Sequence, residues 1–126
     1  MDQDFDNWNT KKKELSNGKR VYFYKGEIWF ASIGKNLGDE EDGKNSSFER
    51  PILIVRKFNN SIFLGVPLTS NEEKSGRYYH KLISFSGSTA ILSQIRLLDA
   101  KRLLRFMGRI NNDELNEIKI KLGKVV

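Results

Sequence analysis

The stretch ERPILIVRKFNNSIFLGVPLTS, residues 49–70, constrains the fold more than any other part of the sequence. It holds two apolar runs that are rich in β-branched and aromatic residues, which is typical of strands. An Asn-Asn pair at 59–60 separates the runs, and asparagine tolerates the positive φ angles of a tight turn. The pattern predicts an antiparallel hairpin with Arg50 at its entrance and two hydroxyl side chains, at 69–70, at its exit. The packing of a hairpin requires neither.

The hairpin also makes a geometric prediction. Two antiparallel strands joined at 59–60 return the end of the second strand to the start of the first, so Arg50 and Thr69 should lie close together. Between these ends, the apolar side chains are predicted to form the core, namely Ile52, Leu53, Ile54, Val55, Phe63, Leu64 and Val66.

Further strands are predicted on both sides of the hairpin. Aromatic and β-branched residues are dense at 21–34, 78–85 and 89–98, and short turns separate these runs. Strands spaced in this way indicate a small antiparallel sheet that is curled or barrel-like. The long loop at 35–49 contains an acidic run, 39–42, which lacks the spacing of a calcium-binding EF-hand loop and is interpreted as solvated.

Helices are predicted at the two ends of the chain. Residues 3–16 place Phe5, Trp8 and Leu15 near one helical face and end in Ser-Asn-Gly. After the strands at 20–98, helices are predicted over 99–122: a short one capped by Asp99 and a final one capped by Asn111. The length of 126 residues fits a single domain, 1–126, that is mainly β with peripheral helices.

Composition narrows the classes of function. The chain has no cysteine, which excludes disulfides, thiolate metal sites and a cysteine nucleophile. Its net charge of +6 favours a polyanionic partner, RNA or DNA before membranes. The N-terminus is acidic and polar, unlike a signal peptide, and no apolar run is long enough to span a bilayer. We therefore expect a cytoplasmic protein that does not bind membranes.

The chemistry available to the chain is limited. There is no phosphate-binding glycine loop and no HExxH motif, so the sequence predicts no cofactor and no metal site. The one histidine, His80, lies in a predicted strand and is interpreted as a surface residue. One reaction needs little from the protein, because in RNA cleavage by the 2′-hydroxyl the substrate carries the nucleophile. The protein must position that hydroxyl, stabilise charge on phosphorus and help protons move, for which a guanidinium and a hydroxyl are suitable.

Six motifs also occur in an order that resembles a known family. They are KGEIWFASIG, then Gly38, Glu40 and Gly43, then RPILIV, PLTS, ILSQIRLLDAKRL and MGRI. The match covers about residues 25–122, and these residues resemble the MazF/PemK toxins, the sequence-specific endoribonucleases of bacterial toxin–antitoxin systems. The resemblance implies a small SH3-like antiparallel β-barrel with an extra N-terminal helix and a C-terminal helix, usually a homodimer. It also implies metal-independent cleavage of single-stranded RNA that leaves 2′,3′-cyclic phosphate and 5′-hydroxyl ends.

The resemblance assigns site residues and a partner. Arg50 and Thr69 match the catalytic arginine and threonine of the family. The resemblance implies that Arg50 transfers protons and stabilises the phosphate, and that Thr69 binds the scissile phosphate or the developing oxyanion. Four further residues are expected to bind substrate, namely Lys44, Ser70, Gln94 and Arg96. The partner would be an antitoxin whose acidic, disordered segment covers the basic groove. Some members of the family carry an Arg-x-Asp before the Gln-x-Arg stretch, whereas this chain has Ile-Leu-Ser at 91–93, and its first loop has no histidine.

Simpler interpretations stay open for each of these residues. Arg50 could be a surface arginine at the start of a strand, and Thr69 a residue chosen for a turn. Arg96 could be a solubility charge, and the basic group at 101–105 could face solvent or the antitoxin instead of RNA. For the whole chain, the alternative is an SH3-like module that binds nucleic acid or a peptide without catalysis.

Overall fold

A computed structural model describes residues 21–33, 49–71 and 74–126. The predicted N-terminal helix at 3–16 lies outside the described residues. The same holds for Lys44 and for nearly all of the 35–49 loop.

The described part of the chain is mainly antiparallel β-sheet followed by a C-terminal helix. A 3₁₀ turn precedes each of the last two strands, at Leu92–Gln94 and Ala100–Arg102. The strands are β1 (Glu27–Ser32), β2 (Glu49–Lys57), β3 (Ile62–Thr69), β4 (Tyr79–Lys81), β5 (Thr89–Ile91), β6 (Arg96–Asp99) and β7 (Leu103–Arg109), and the helix is α1 (Asn112–Val125).

The strands form one sheet in the order β4-β5-β3-β2-β1-β7. Strand β3 has two partners on the same side: its first half pairs with β6, and its end pairs with β5. The predicted hairpin is confirmed as β2 and β3. In its turn, Oδ1 of Asn59 accepts hydrogen bonds from the backbone N–H groups of Ser61, at 2.7 Å, and Ile62, at 2.9 Å. The asparagine side chain thus holds the tight turn that its residue type predicted.

Alternating side chains of β2 fill two separate cores. Leu53 and Val55 belong to a cluster that includes residues of α1, whereas Ile52 and Ile54 belong to a cluster on the other face of the sheet. Since successive side chains of a strand point to opposite faces, a strand that is apolar at every position has both faces covered. Of the seven core residues predicted from the hairpin, six are buried and Leu64 is partly buried.

The sheet is not closed into the predicted SH3-like barrel. Its edge strands β4 and β7 do not pair with each other in the described residues. The segment that follows β4 bonds instead to the start of α1, where the carboxylate of Glu114 accepts from the backbone N–H groups of Ile83 and Ser84 at 2.7 and 2.8 Å. Ser84 Oγ in turn accepts from the N–H of Asn111 at 3.2 Å. The Glu114 side chain at the start of the helix thus provides the acceptor that the backbone N–H groups of Ile83 and Ser84 need.

The short helix predicted after Asp99 is wrong. Asp99 caps a 3₁₀ turn, with its carboxylate accepting from the N–H of Lys101 at 2.8 Å, and the chain then enters strand β7. Strand β7 pairs with β1, where Trp29 lies opposite Phe106 and their rings are 5.9 Å apart. The apolar spacing at 103–107 favours a helix, but backbone and side-chain pairing with β1 stabilises the strand more.

The final helix begins as predicted. Oδ1 of Asn111 accepts from the N–H of Glu114 at 2.8 Å, which caps the helix. The predicted apolar face is buried, with Leu115, Ile118 and Leu122 in the core. None of the helices in the described residues is long and apolar enough to cross a membrane.

Candidate active site

A cavity of about 290 Å³ lies where β2 begins and β3 ends. Its lining brings together an arginine, a carboxylate and three hydroxyl side chains. The lining residues are Glu49, Arg50, Pro51, Leu68, Thr69, Ser70 and Ser88. Both ends of the predicted hairpin, Arg50 and Thr69, therefore line one cavity.

The register of the hairpin explains why Arg50 and Thr69 share this cavity. Ile52 pairs with Pro67 and Leu53 with Val66 in the antiparallel ladder. The ladder ends at this first pair, and Arg50 and Thr69 lie two residues beyond it on their strands, where both line the cavity. The predicted proximity of the two side chains agrees with this geometry, while their catalytic roles stay predictions.

Arg50 and Thr69 each pair with a residue of a further strand. Arg50 lies opposite Ala31 of β1, and Thr69 lies opposite Thr89 of β5. Each end of the hairpin is thus paired with a further strand of the sheet, Arg50 with β1 and Thr69 with β5, which limits movement. A site on paired strands holds its side chains more precisely than a site on loops.

The hydroxyl of Thr69 is oriented by the backbone that follows it. Its Oγ1 accepts a hydrogen bond from the N–H of Asn71 at 3.1 Å. A hydroxyl has one proton to donate and two lone pairs, so this bond leaves the proton of Thr69 for a second acceptor. Since Thr69 is partly exposed and lines the cavity, a bound anion could be that acceptor.

Arg50 is half-buried, and this burial lowers the pKa of its guanidinium from the ordinary value. Loss of solvent disfavours the charged form, yet an arginine stays a cation at neutral pH. A cation with reduced hydration interacts more strongly with a phosphate than one in bulk water. Its planar fork can also bind two phosphate oxygens at once.

The other predicted substrate-binding residues are distributed differently. Ser70 is exposed and lines the cavity, in agreement with its proximity to Thr69. Gln94 and Arg96 are exposed but do not line the cavity; Arg96 lies on β6, opposite Gly65. The structure thus brings together Arg50, Thr69 and Ser70, and it places the Gln-x-Arg stretch on a neighbouring surface.

Two residues that line the cavity were not predicted from the sequence, Glu49 and Ser88. Glu49 directly precedes Arg50, and that adjacency was an available signal. Ser88 follows a turn in which Gly87 has a φ of +91°, and its carbonyl accepts from the N–H of Leu82 at 2.9 Å. Nothing in the sequence around Ser88 predicts that this turn reaches the ends of the hairpin.

The interpretation of His80 as a surface residue is wrong. The imidazole is 4% exposed, and its Nε2 lies 2.8 Å from Oε2 of the buried Glu114. Its Nδ1 lies 2.8 Å from Nζ of Lys121. These contacts join β4 to α1, and none of the three residues lines the cavity. Within the described residues, no group of three or more histidine, aspartate or glutamate side chains could hold a metal ion.

Solved structures that share this fold include an endoribonuclease with its antitoxin, MazF, and a MazE–MazF complex. An endoribonuclease from a Mycobacterial species, in complex with its cognate antitoxin, superposes with a TM-score of 0.65 at 14% identity, covering 82% of this chain and 94% of that one. MazF from Deinococcus radiodurans gives a TM-score of 0.63 at 18% identity, with 83% and 96% covered. The MazE–MazF complex from the same organism gives 0.60 at 19% identity, with 81% and 93% covered. At such identities the likeness shows the fold.

Comparison of the sequence itself is more specific. No protein of curated function matches significantly. The sequence profile of the PemK-like, MazF-like toxins of type II toxin–antitoxin systems matches residues 24–126, which is most of the chain. The chain therefore belongs to the PemK-like, MazF-like family of type II toxin–antitoxin toxins.

Proposed function

We propose that this protein is a sequence-specific, metal-independent endoribonuclease toxin that cleaves single-stranded RNA and is neutralised by a cognate antitoxin. The observation that carries the proposal is the cavity that Arg50 and Thr69 share at the ends of β2 and β3, in a chain of the PemK-like, MazF-like family. The net charge of +6 suits a polyanionic substrate.

The proposed reaction uses groups that line the cavity. The 2′-hydroxyl of the RNA gives up its proton and attacks the adjacent phosphorus, and the bond from phosphorus to the 5′ oxygen breaks. Arg50 helps to transfer a proton to the departing 5′ oxygen, so the products carry 2′,3′-cyclic phosphate and 5′-hydroxyl ends. Arg50 stabilises the negative charge that grows on the non-bridging oxygens, and Thr69 donates its hydroxyl proton to one of them. Donors placed before the reaction stabilise the transition state without reorganisation, which is the source of their catalytic effect.

The proposed partners are the RNA, an antitoxin and a second copy of this chain. One similar structure is an endoribonuclease with its cognate antitoxin, and another is a MazE–MazF complex. An acidic, disordered segment would complement the basic charge of this chain and block RNA by occupying the same surface. Gln94 and Arg96 would contact RNA beyond the cavity, Lys44 would also bind RNA, and the complex would act in the cytoplasm.

The test is cleavage of single-stranded RNA by the purified protein in EDTA, with chemical analysis of the ends. Arg50→Ala should lower the rate about 100- to 1,000-fold, because one charge-stabilising group is lost. Arg56→Ala is the matched control, since Arg56 is an exposed arginine on the same strand, 5.2 Å from the ring of Phe58 and outside the cavity lining. Thr69→Val should also be impaired, and Thr69→Ser should retain activity.

RNA with a 2′-deoxy sugar at the cleaved position should bind and resist cleavage. Cleavage of that substrate would contradict the mechanism. Tight binding of ordinary RNA without products would favour the non-catalytic binding module instead.

A further inference from the structure

Strand β2 carries a cation at each end of one of its faces. Arg50 lies opposite Ala31 of β1, and Lys57 lies opposite Phe63 of β3. Both Ala31 and Phe63 belong to the core cluster on the face of the sheet away from α1. Since directly opposed residues project from the same face of a sheet, Arg50 and Lys57 share this face. At about 3.3 Å per residue, they lie roughly 20 Å apart along the strand.

Exposed tyrosines lie at the Lys57 end of this face. The Nζ of Lys57 is 4.6 Å from the ring centre of Phe23 and 4.7 Å from that of Tyr24. Phe23 is buried in the same core cluster, whereas its two neighbours in the chain, Tyr22 and Tyr24, are 69% and 53% exposed. Within the described residues, no carboxylate pairs with Lys57. We call Tyr22, Tyr24 and Lys57 the tyrosine–lysine patch.

A basic segment, residues 100–103, connects the two ends of this face. At its start, a backbone N–H donates to the carbonyl of Ser61, beside the hairpin turn, at 2.7 Å. At its end, it pairs with Ala31, the residue opposite Arg50. Its two exposed cations are Lys101 and Arg102. Positive charge therefore continues from the patch towards the cavity that Arg50 lines.

We propose that the tyrosine–lysine patch is a second contact for single-stranded RNA, an assignment that rests on the proposed ribonuclease function. The strand that enters the cavity continues over residues 100–103, where Lys101 and Arg102 bind phosphates. An unpaired base then stacks on the exposed ring of Tyr24, beside the ammonium of Lys57. Aromatic rings that stack bases, together with cations that follow the backbone, are the usual means of holding a single strand.

The combination of groups favours RNA over an acidic segment of the antitoxin as the occupant. Each nucleotide brings one negative charge and one aromatic base, which match the cations and the rings respectively. An acidic side chain matches the cations alone and leaves the rings of Tyr22 and Tyr24 exposed.

The patch should contribute to affinity and not to chemistry, because it lies roughly 20 Å from Arg50. Loss of one stacked base weakens binding about 5- to 100-fold. Tyr24→Ala should raise by this factor the Kd of an RNA of about 16 nucleotides that carries a 2′-deoxy sugar at the cleaved position, and it should leave kcat for the ordinary RNA unchanged. An RNA of about four nucleotides, cut at its centre, is too short to reach the patch, so its kinetics should not change. Tyr24→Phe keeps the ring and should bind like the wild type.

Phe58→Ala is the matched control. Phe58 is 49% exposed and its ring centre lies 5.2 Å from the guanidinium of Arg56, so it is also an exposed ring beside a cation. It follows Lys57 directly, and successive side chains of an extended chain project to opposite faces. Its replacement should leave the affinity for both RNAs unchanged.

The salt dependence of binding tests the basic segment separately. Each phosphate contact that is lost lowers the slope of log Kd against log salt concentration by about 0.7. Lys101→Met should show this change. Lys119→Met removes the same charge from an exposed position on α1 and should not.

The outcomes separate this contact from the ribonuclease function itself. If the wild-type protein cleaves RNA while Tyr24→Ala and Lys57→Met bind the long RNA as tightly as it does, the contact is wrong and the function stands. Unchanged RNA affinity with an altered oligomeric state, measured by sedimentation, would assign the patch to contacts between copies of the chain. If the wild-type protein cleaves no RNA, the proposed function fails and this contact fails with it.

Discussion

The imidazole of His80 and the carboxylate of Glu114 are joined by a contact of 2.8 Å between Nε2 and Oε2, although the residues lie 34 positions apart. The contact links β4 to the first turn of α1, and both side chains are buried. Glu114 also accepts from the hydroxyl of Ser84 and from two backbone N–H groups. Residues of β4 and of the segment that follows it thus converge on one carboxylate of α1, which fixes the helix against the edge strand β4.

Replacing Glu114 by glutamine should destabilise the fold by about 2–3 kcal/mol, because buried donors lose their acceptor. The amide has one oxygen where the carboxylate has two, and its NH₂ group would face the N–H of Ser84 or the imidazole of His80. Urea denaturation followed by circular dichroism measures the change. Glu117→Gln, on the exposed side of α1, should change stability by less than about 0.5 kcal/mol. Equal effects of the two variants would contradict the structural role of Glu114.

The stability of the protein should depend on the protonation of Glu114. Burial raises the pKa of this carboxyl, but the hydrogen bonds from Ser84, Ile83 and His80 outweigh burial and hold the pKa at about 2. A carboxyl group whose pKa is lowered on folding stabilises the folded state above its unfolded pKa, and this contribution is lost as pH falls through the folded value. Here up to about 3 kcal/mol should disappear between about pH 4.5 and 2. Urea titrations across this range should show the loss in the wild type and a smaller loss in Glu114→Gln.

His80 should carry its proton on Nε2. The ammonium group of Lys121 has protons to donate and no lone pair, so Nδ1 of His80, 2.8 Å away, must accept. Nε2 then donates to Glu114, which completes a chain of three groups. The ¹⁵N chemical shifts of the imidazole at neutral pH should show the Nε2–H tautomer. Detection of the Nδ1–H tautomer would contradict this arrangement.

The parts of the fold that were predictable depend on neighbouring residues. The hairpin follows from two apolar runs and the Asn59 turn, and its antiparallel pairing returns Thr69 to the cavity that Arg50 lines. The cap at Asn111 is likewise a pattern of a few residues. In the Asn59 turn and in the Asn111 cap, the interactions that decide the structure join residues that are two or three positions apart in the sequence.

The parts that could not be predicted depend on residues that are distant in sequence. At 103–107 the apolar spacing fits a helix, and the pairing of Trp29 with Phe106 decides for a strand. His80 is buried because Glu114 and Lys121 lie on a helix that packs beside it. The same helix also satisfies two backbone N–H groups of the segment after β4, at Ile83 and Ser84, without a partner strand.

Gly65 should tolerate no side chain. A Cβ atom there would lie 2.7 Å from Cγ2 of Ile52, 3.1 Å from the ring of Phe63 and 3.3 Å from the carbonyl oxygen of Leu53. Gly65→Ala should therefore cost about 1–3 kcal/mol in free energy of unfolding through overpacking. Gly123 is the matched control, because it lies in α1 with nothing within 4 Å of the added Cβ. Gly123→Ala should stabilise the helix by about 0.5–1 kcal/mol, so the two variants should shift the urea midpoint in opposite directions.

Arg50→Lys should be nearly as inactive as Arg50→Ala if the guanidinium acts by binding two phosphate oxygens. Lysine keeps the positive charge but presents a point charge in place of a planar fork, so it cannot hold two oxygens in fixed geometry. The rate of RNA cleavage should fall at least about 100-fold, whereas the affinity for 2′-deoxy RNA should change little, because the charge is retained. Arg56→Lys, on the same strand and outside the cavity, should leave both unchanged. A lysine variant that cleaves at the wild-type rate would show that Arg50 contributes charge alone.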